Sequence, residues 1–177
     1  MLPVFEKMLG MAPPAWVRKV EVAVILGTFA EAFNVDPPAL EDRPANECLY
    51  VFREFTAACM EEALKGGKAA ISYRDRLGAS GFRLGLRIRE MLNVSAASAF
   101  PFAQFLYRGI GIELAREDSG CLKFGSCSFA QRYSPECCLF MSAFDEGFLC
   151  GLLEVDARLV FSCRLTEGAP CCRACYE

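Results

Sequence analysis

Residues 15–33 are apolar nearly all round a helix, with Val17, Val20, Val22, Val24, Ile25, Leu26, Phe29 and Phe33 spread over several faces. Such a pattern predicts a helix buried on more than one side, opened by Pro14 at a first-turn position. Residues 34–44 form a proline-rich, acidic connector that carries turn signals. Leu49, Phe52, Phe55, Cys59 and Ala63 then fall at helical spacing, predicting a second helix over 46–65 that ends at Gly66-Gly67. A third opens at Ser72, with Asp75 three residues on as an approximate capping box, and runs to residue 92. Residues 95–107 predict a fourth, aromatic-rich helix with Pro101 near its start. The period then changes. Residues 112–117 and 121–129 read as strands joined by Asp118-Ser119-Gly120, a hairpin signal. After Cys137-Cys138 an apolar, glycine-bearing segment has the length of one helix, and 158–165 and 171–176 read as a second strand pair. The order predicts an α+β fold: N-terminal helices packed on a small twisted antiparallel sheet made of two hairpins with a helix between them.

Composition narrows the class. At 177 residues, 54% hydrophobic and 12% aromatic, the chain is expected to be a single domain over 1–177 with a real core. Residues 1–14 read as a loose leader, 15–70 as N-terminal helices and 71–177 as the functional core. The apolar surplus exceeds what a monomer hides, which points to a homodimer through the N-terminal helices or to a lined cavity. A net charge of −3 with no basic run gives no footprint for nucleic acid. The N-terminus lacks signal-peptide order, and the longest apolar run, 22–33, is too short to cross a bilayer. A cytoplasmic protein without a membrane span is the expectation.

Histidine is absent, which removes Ser-His-Asp and Cys-His nucleophile pairs, His-ligated haem and mixed Cys/His zinc sites. Neither haem nor a nucleotide is expected as a cofactor. Acid–base chemistry falls to carboxylates, thiols or lysines. Eleven cysteines, an odd count without a secretory signal, are expected to be reduced thiols.

Seven of those eleven lie in residues 135–177: Cys137, Cys138, Cys150, Cys163, Cys171, Cys172 and Cys175. Opposed residues of a hairpin have Cβ atoms about 4.5–5.5 Å apart, so two hairpin legs and a helix start have the reach to offer sulfurs to zinc. Adjacent strand residues point to opposite faces, so at most one of Cys171 and Cys172 serves. The alternative is a set of buried, small apolar thiols. Asp145-Glu146 is a candidate acid–base pair of which only one member points inward, or else a charged step on the solvent side. Gly78, Gly81 and Gly85 share one helix face at a cost of about 1 kcal/mol each against alanine. Something therefore comes close to that face: a neighbouring helix, or a ligand on bare backbone. Of the many phenylalanines, Phe102, Phe105, Phe144 and Phe148 are candidates to line an apolar pocket.

Gly109-x-Gly111 leading into a hairpin, Cys137/Cys138, Gly147 and Gly151, and Gly168-x-x-x-Cys172 together resemble the V4R (4-vinyl reductase) domain. Asp145-Glu146 and the closing Thr166-Glu167-Gly168-Ala169-Pro170-Cys171-Cys172 resemble the family named for L-2-amino-thiazoline-4-carboxylic acid hydrolase. The likeness covers residues 70–177. It implies the fold of vesicle-tethering transport-particle subunits, a dimer through the helices and a hydrophobic internal pocket. It also implies Zn²⁺ held by cysteines and a glutamate, with Cys137 or Cys138, Cys163, and Cys171 or Cys172 at matching places. Val160 stands where the glutamate is expected, leaving Cys175 or a second member of either pair as the fourth ligand. Two functions follow as expectations. One is binding or sensing of a small hydrophobic or thiol-related ligand. The alternative is hydrolysis of a small cyclic thioimidate or amide such as 2-aminothiazoline-4-carboxylate, which needs an activated thiolate or a metal-bound water.

Overall fold

The computed structural model describes residues 10–177, apart from the side chains of Lys68 and Ala69. Of the expected leader, residues 1–9 lie outside the described residues. Five helices and four strands follow in the order α1 (Ala15–Phe33), α2 (Ala45–Lys65), α3 (Lys68–Met91), α4 (Ala96–Gly109), β1 (Ile112–Arg116), β2 (Leu122–Cys127), α5 (Pro135–Leu153), β3 (Leu159–Cys163) and β4 (Cys172–Tyr176). The architecture is α+β, as the sequence pattern predicts.

Local chemistry sets the ends. Pro14 precedes α1, and Asn34 closes it in the left-handed region at φ 56°, its N–H returning to the carbonyls of Ala30 and Glu31. Ser95 and Ser134 cap α4 and α5, each hydroxyl accepting from the backbone N–H three residues on. Gly120, at φ 83°, completes the Asp118-Ser119-Gly120 turn, a conformation that glycine adopts freely.

The sheet runs β1-β2-β4-β3, antiparallel throughout. Each hairpin supplies two neighbouring strands, and α5 connects them. β2 and β4 pair through Leu122 opposite Ala174, Lys123 opposite Arg173 and Phe124 opposite Cys172. One step further out along that register, Cys121 meets Cys175, and the two are joined by a disulfide across a Cα–Cα distance of 4.3 Å. Such close spacing belongs to a directly opposed antiparallel pair. Two thiols expected to be reduced are therefore bonded, and Cys175 leaves the set of candidate metal ligands. The spacing along the chain hid this pair, because 54 residues separate its members.

α3 and α5 approach each other closely. A methyl group built on Gly81 would stand 2.5 Å from the Phe144 carbonyl oxygen, and one on Gly78 would stand 3.2 Å from that of Ala143. On Gly85 it would overlap the Phe148 carbonyl oxygen, and on Gly147 that of Gly78. The two helices meet backbone to backbone, with glycines on both sides. The face of Gly78, Gly81 and Gly85 is occupied by a helix rather than a ligand, which corrects their assignment as ligand-binding residues.

The remaining core is aromatic. Phe29 stacks on Phe33 at 5.2 Å and meets Phe52 edge-on at 6.4 Å, arrangements that rings favour when buried. One flank of α1 is not covered: Trp16, Val20 and Val24, four residues apart, are 69%, 57% and 42% exposed. The expectation of burial on several sides holds for the inner faces of α1 only. Among the described residues no helix is long and apolar enough to cross a membrane.

Candidate functional site

Between α1, the end of α3, α4, the sheet and α5 lies a cavity of about 780 Å³. This falls within the span of small-molecule sites, which run to about 300–1,000 Å³. Phe102, Phe105, Phe144 and Phe148, the four phenylalanines singled out from the sequence, all line it. Trp16, Val20, Val24, Met91 and Leu92 also border it and are exposed, so they mark its mouth.

Polar groups interrupt this lining, Arg87 and Tyr133 among them, and those nearest Tyr107 and the start of α5 have identifiable environments. Tyr107 of α4 donates its hydroxyl to Asp145 Oδ1 on α5 at 2.7 Å. Asp145 is enclosed on all sides by protein, but its carboxyl faces the void, so part of its surface stays accessible. Burial pushes that carboxyl up from its ordinary 3.8 to about 7, against the lowering effect of the Tyr107 bond. Glu146, the adjacent residue, turns away towards Arg74 at 3.8 Å. One member of the acidic pair thus faces inward, as helix geometry requires.

Glu21 comes from the middle of α1 and is only 9% exposed. Its carboxyl borders the cavity and presses on the backbone at Gly109, the last residue of α4. Its Oε2 atom is buried without a hydrogen-bond partner. Burial alone raises this carboxyl from 4.5 to about 9, because an unpaired charge is costly away from water. The one signal of it in the sequence is an acid flanked directly by Val20 and Val22.

A second polar cluster forms where the start of α5 meets the β3–β4 connection. Cys138, in the first turn of α5, and Cys172, at the start of β4, both border the cavity. The Cys172 and Cys138 thiols lie close enough to share a proton, while the Leu165 N–H donates to Cys172 Sγ at 3.3 Å. Thr166 Oγ1, buried and with no other partner, lies beside the Cys138 sulfur. Arg164 is 8% exposed and spans Ser142 Oγ at 3.1 Å and Glu167 Oε1 at 3.2 Å. The bond with Cys172 brings the Cys138 thiol down from 9.0 to about 7, helped by Thr166 and the positive Arg164 against the opposing effect of burial. The helix N-terminus acts in the same direction. The same bond, with burial, pushes Cys172 up, so it stays a thiol. Cys127, also at the cavity wall, is pushed up to about 11 by burial.

Cys138 is therefore expected to be the first thiol alkylated by iodoacetamide in the folded protein, with a rate that rises through about pH 7. Peptide mapping after brief labelling checks this. Cys172→Ala should move the rise to higher pH, and labelling that favours Cys59 instead would refute the assignment.

The other expected zinc ligands do not converge. Cys137 is fully buried and does not border the cavity. Cys163 Sγ donates to the Cys171 carbonyl at 3.5 Å in a separate place on the hairpin, and Cys175 is in the disulfide. Among the described residues no group of three or more cysteine, aspartate or glutamate side chains is positioned for a metal ion. A tetrahedral thiolate site needs four ligands at about 2.3 Å, and the Cys138–Cys172 pair supplies two. Among the described residues that pair alone does not complete such a site. Arg164 is a further group whose burial the spacing does not announce. Its charge hides behind Ser142, a partner 22 residues away that no local pattern reveals. No family model, curated protein or solved structure matches the chain.

Proposed function

We propose that the protein is a binding or sensing domain for an apolar small molecule, held in the cavity between α1, α4 and α5. The observation that carries this reading is the cavity itself: large, walled by phenylalanines, and supplied with a few inward polar groups able to fix orientation. The likeness to V4R domains supports the same reading through the pocket it implies.

The test is saturable binding of Nile red, an uncharged apolar dye. Wild-type protein is expected to bind it at one site. Leu106→Trp places an indole in the void and is expected to weaken that binding about tenfold or more. The exposed substitution Tyr50→Ala should leave it unchanged. Circular dichroism melting confirms that both variants are folded. Binding that does not saturate, or that Leu106→Trp leaves intact in folded protein, would overturn the reading.

One observation favours a second reading, hydrolysis of a small cyclic thioimidate or amide: Cys138 combines access to the cavity with a thiol brought near neutrality. An activated thiolate is the nucleophile such chemistry requires. Turnover of 2-aminothiazoline-4-carboxylate that vanishes in Cys138→Ser would establish it. No turnover by the wild-type protein would leave binding as the function.

A further inference from the structure

Two carboxyl groups of the cavity lining, Glu21 and Asp145, lie within electrostatic reach of Tyr107. Glu21 borders the void, and its Oε2 is buried against Gly109 with no hydrogen-bond partner. Asp145 Oδ1 already takes the hydroxyl proton of Tyr107 at 2.7 Å. Glu21 is within electrostatic reach of the same hydroxyl. The Glu21 carboxyl lies against the backbone at Gly109, the carbonyl end of α4. The last turn of a helix carries partial negative charge and favours a cation. Among the described residues Arg87 is the one cation in the cavity lining, and it forms no ion pair with either carboxyl. Among the described residues neither Glu21 nor Asp145 forms an ion pair, and Arg18, one turn before Glu21 on α1, makes none with it. Arg164, the buried guanidinium of the other cluster, is committed to Ser142 and Glu167.

An anionic ligand head would meet two carboxyl groups and a helix C-terminus, all unfavourable. A neutral head would accept one bond from a protonated carboxyl and gain little else. A cation would meet every group at this end with the favourable sign, and a paired charge is the form in which a buried charge is tolerated. The rest of the lining is hydrocarbon and phenyl, suited to an apolar tail. We propose that the ligand of this cavity is a lipophilic amine, its ammonium group bonded to Glu21 and facing Asp145, with its tail among Phe102, Phe105 and Phe148. This rests on the ligand-binding reading above and names the chemical class of the ligand.

Three probes of equal chain length separate the possibilities: decylamine, decanol and decanoate, each used to displace Nile red from the full-length protein. Decylamine is expected to bind about tenfold tighter than decanol, with decanoate weakest. Glu21→Gln keeps the shape but cannot give up a proton to pair with an ammonium, and is expected to erase the advantage of the amine while leaving decanol binding in place. Asp145→Asn should reduce that advantage partly. Decanol or decanoate binding as tightly as decylamine would overturn the proposal and leave the cavity reading standing. An amine preference that survives Glu21→Gln in folded protein would overturn it as well. Failure of all three probes, together with Nile red, would remove both readings.

Discussion

Replacing Gly147 with alanine is expected to lower stability by about 3 kcal/mol or more, the upper range for forcing an extra methyl into a packed interior. The new Cβ would overlap the Gly78 carbonyl oxygen and stand 2.9 Å from the Phe82 backbone nitrogen. Both obstacles are backbone atoms of α3, so no side-chain rotation relieves the clash. Gly27 provides the contrast, since nothing lies within 4 Å of a Cβ built there. In mid-helix, Gly27→Ala is expected to stabilise by about 1 kcal/mol through helix propensity. Urea denaturation of the two variants checks both signs. A wild-type midpoint for Gly147→Ala would mean that α3 and α5 are not in backbone contact.

Glu21→Gln is expected to stabilise the protein at neutral pH by an amount on the order of 3 kcal/mol. The folded-state carboxyl is raised from 4.5 to about 9. As pH rises past 4.5 the unfolded chain releases its proton, whereas the folded protein keeps it until about 9. Between those values the folded state holds the extra proton, so stability falls with rising pH. Glutamine carries no such proton, and the difference between the variant and the wild type should be near zero at about pH 4 and grow through neutrality. Asp145 contributes a fall of the same sign between 3.8 and about 7, and Cys138 a rise between about 7 and 9.0. Both are common to the two proteins and cancel in the difference. Denaturation series at about pH 5 and about pH 8 give the measurement. Parallel curves would show that Glu21 is solvated. The same variant serves the ligand experiment well, because a loss of amine binding cannot then be attributed to a weakened fold.

Local patterns in the chain carry most of the architecture. Pro14, Asn34 and Gly66-Gly67 mark helix ends that the structure reproduces within a residue or two. Asp118-Ser119-Gly120 marks the first hairpin, and the change of period after Tyr107 marks the passage from helices to sheet. The four cavity phenylalanines were legible as well, since large apolar residues on α4 and α5 had to meet somewhere. The glycine face was legible as a close approach but not as to its occupant. Gly147 and Gly151 answer it from more than 60 residues away, and a one-dimensional pattern does not pair such faces. The same reason hid Cys121–Cys175, Arg164–Ser142 and Tyr107–Asp145. Each is a long-range pairing made by the fold rather than by spacing.

Because α3 and α5 touch through their main chains, the wall they share behaves as a single stiff plate with nothing to compress. A guest of greater girth would press on α1, whose Trp16, Val20 and Val24 stand exposed at the cavity mouth. Occupancy of the interior would then be legible from outside as a displacement of that helix.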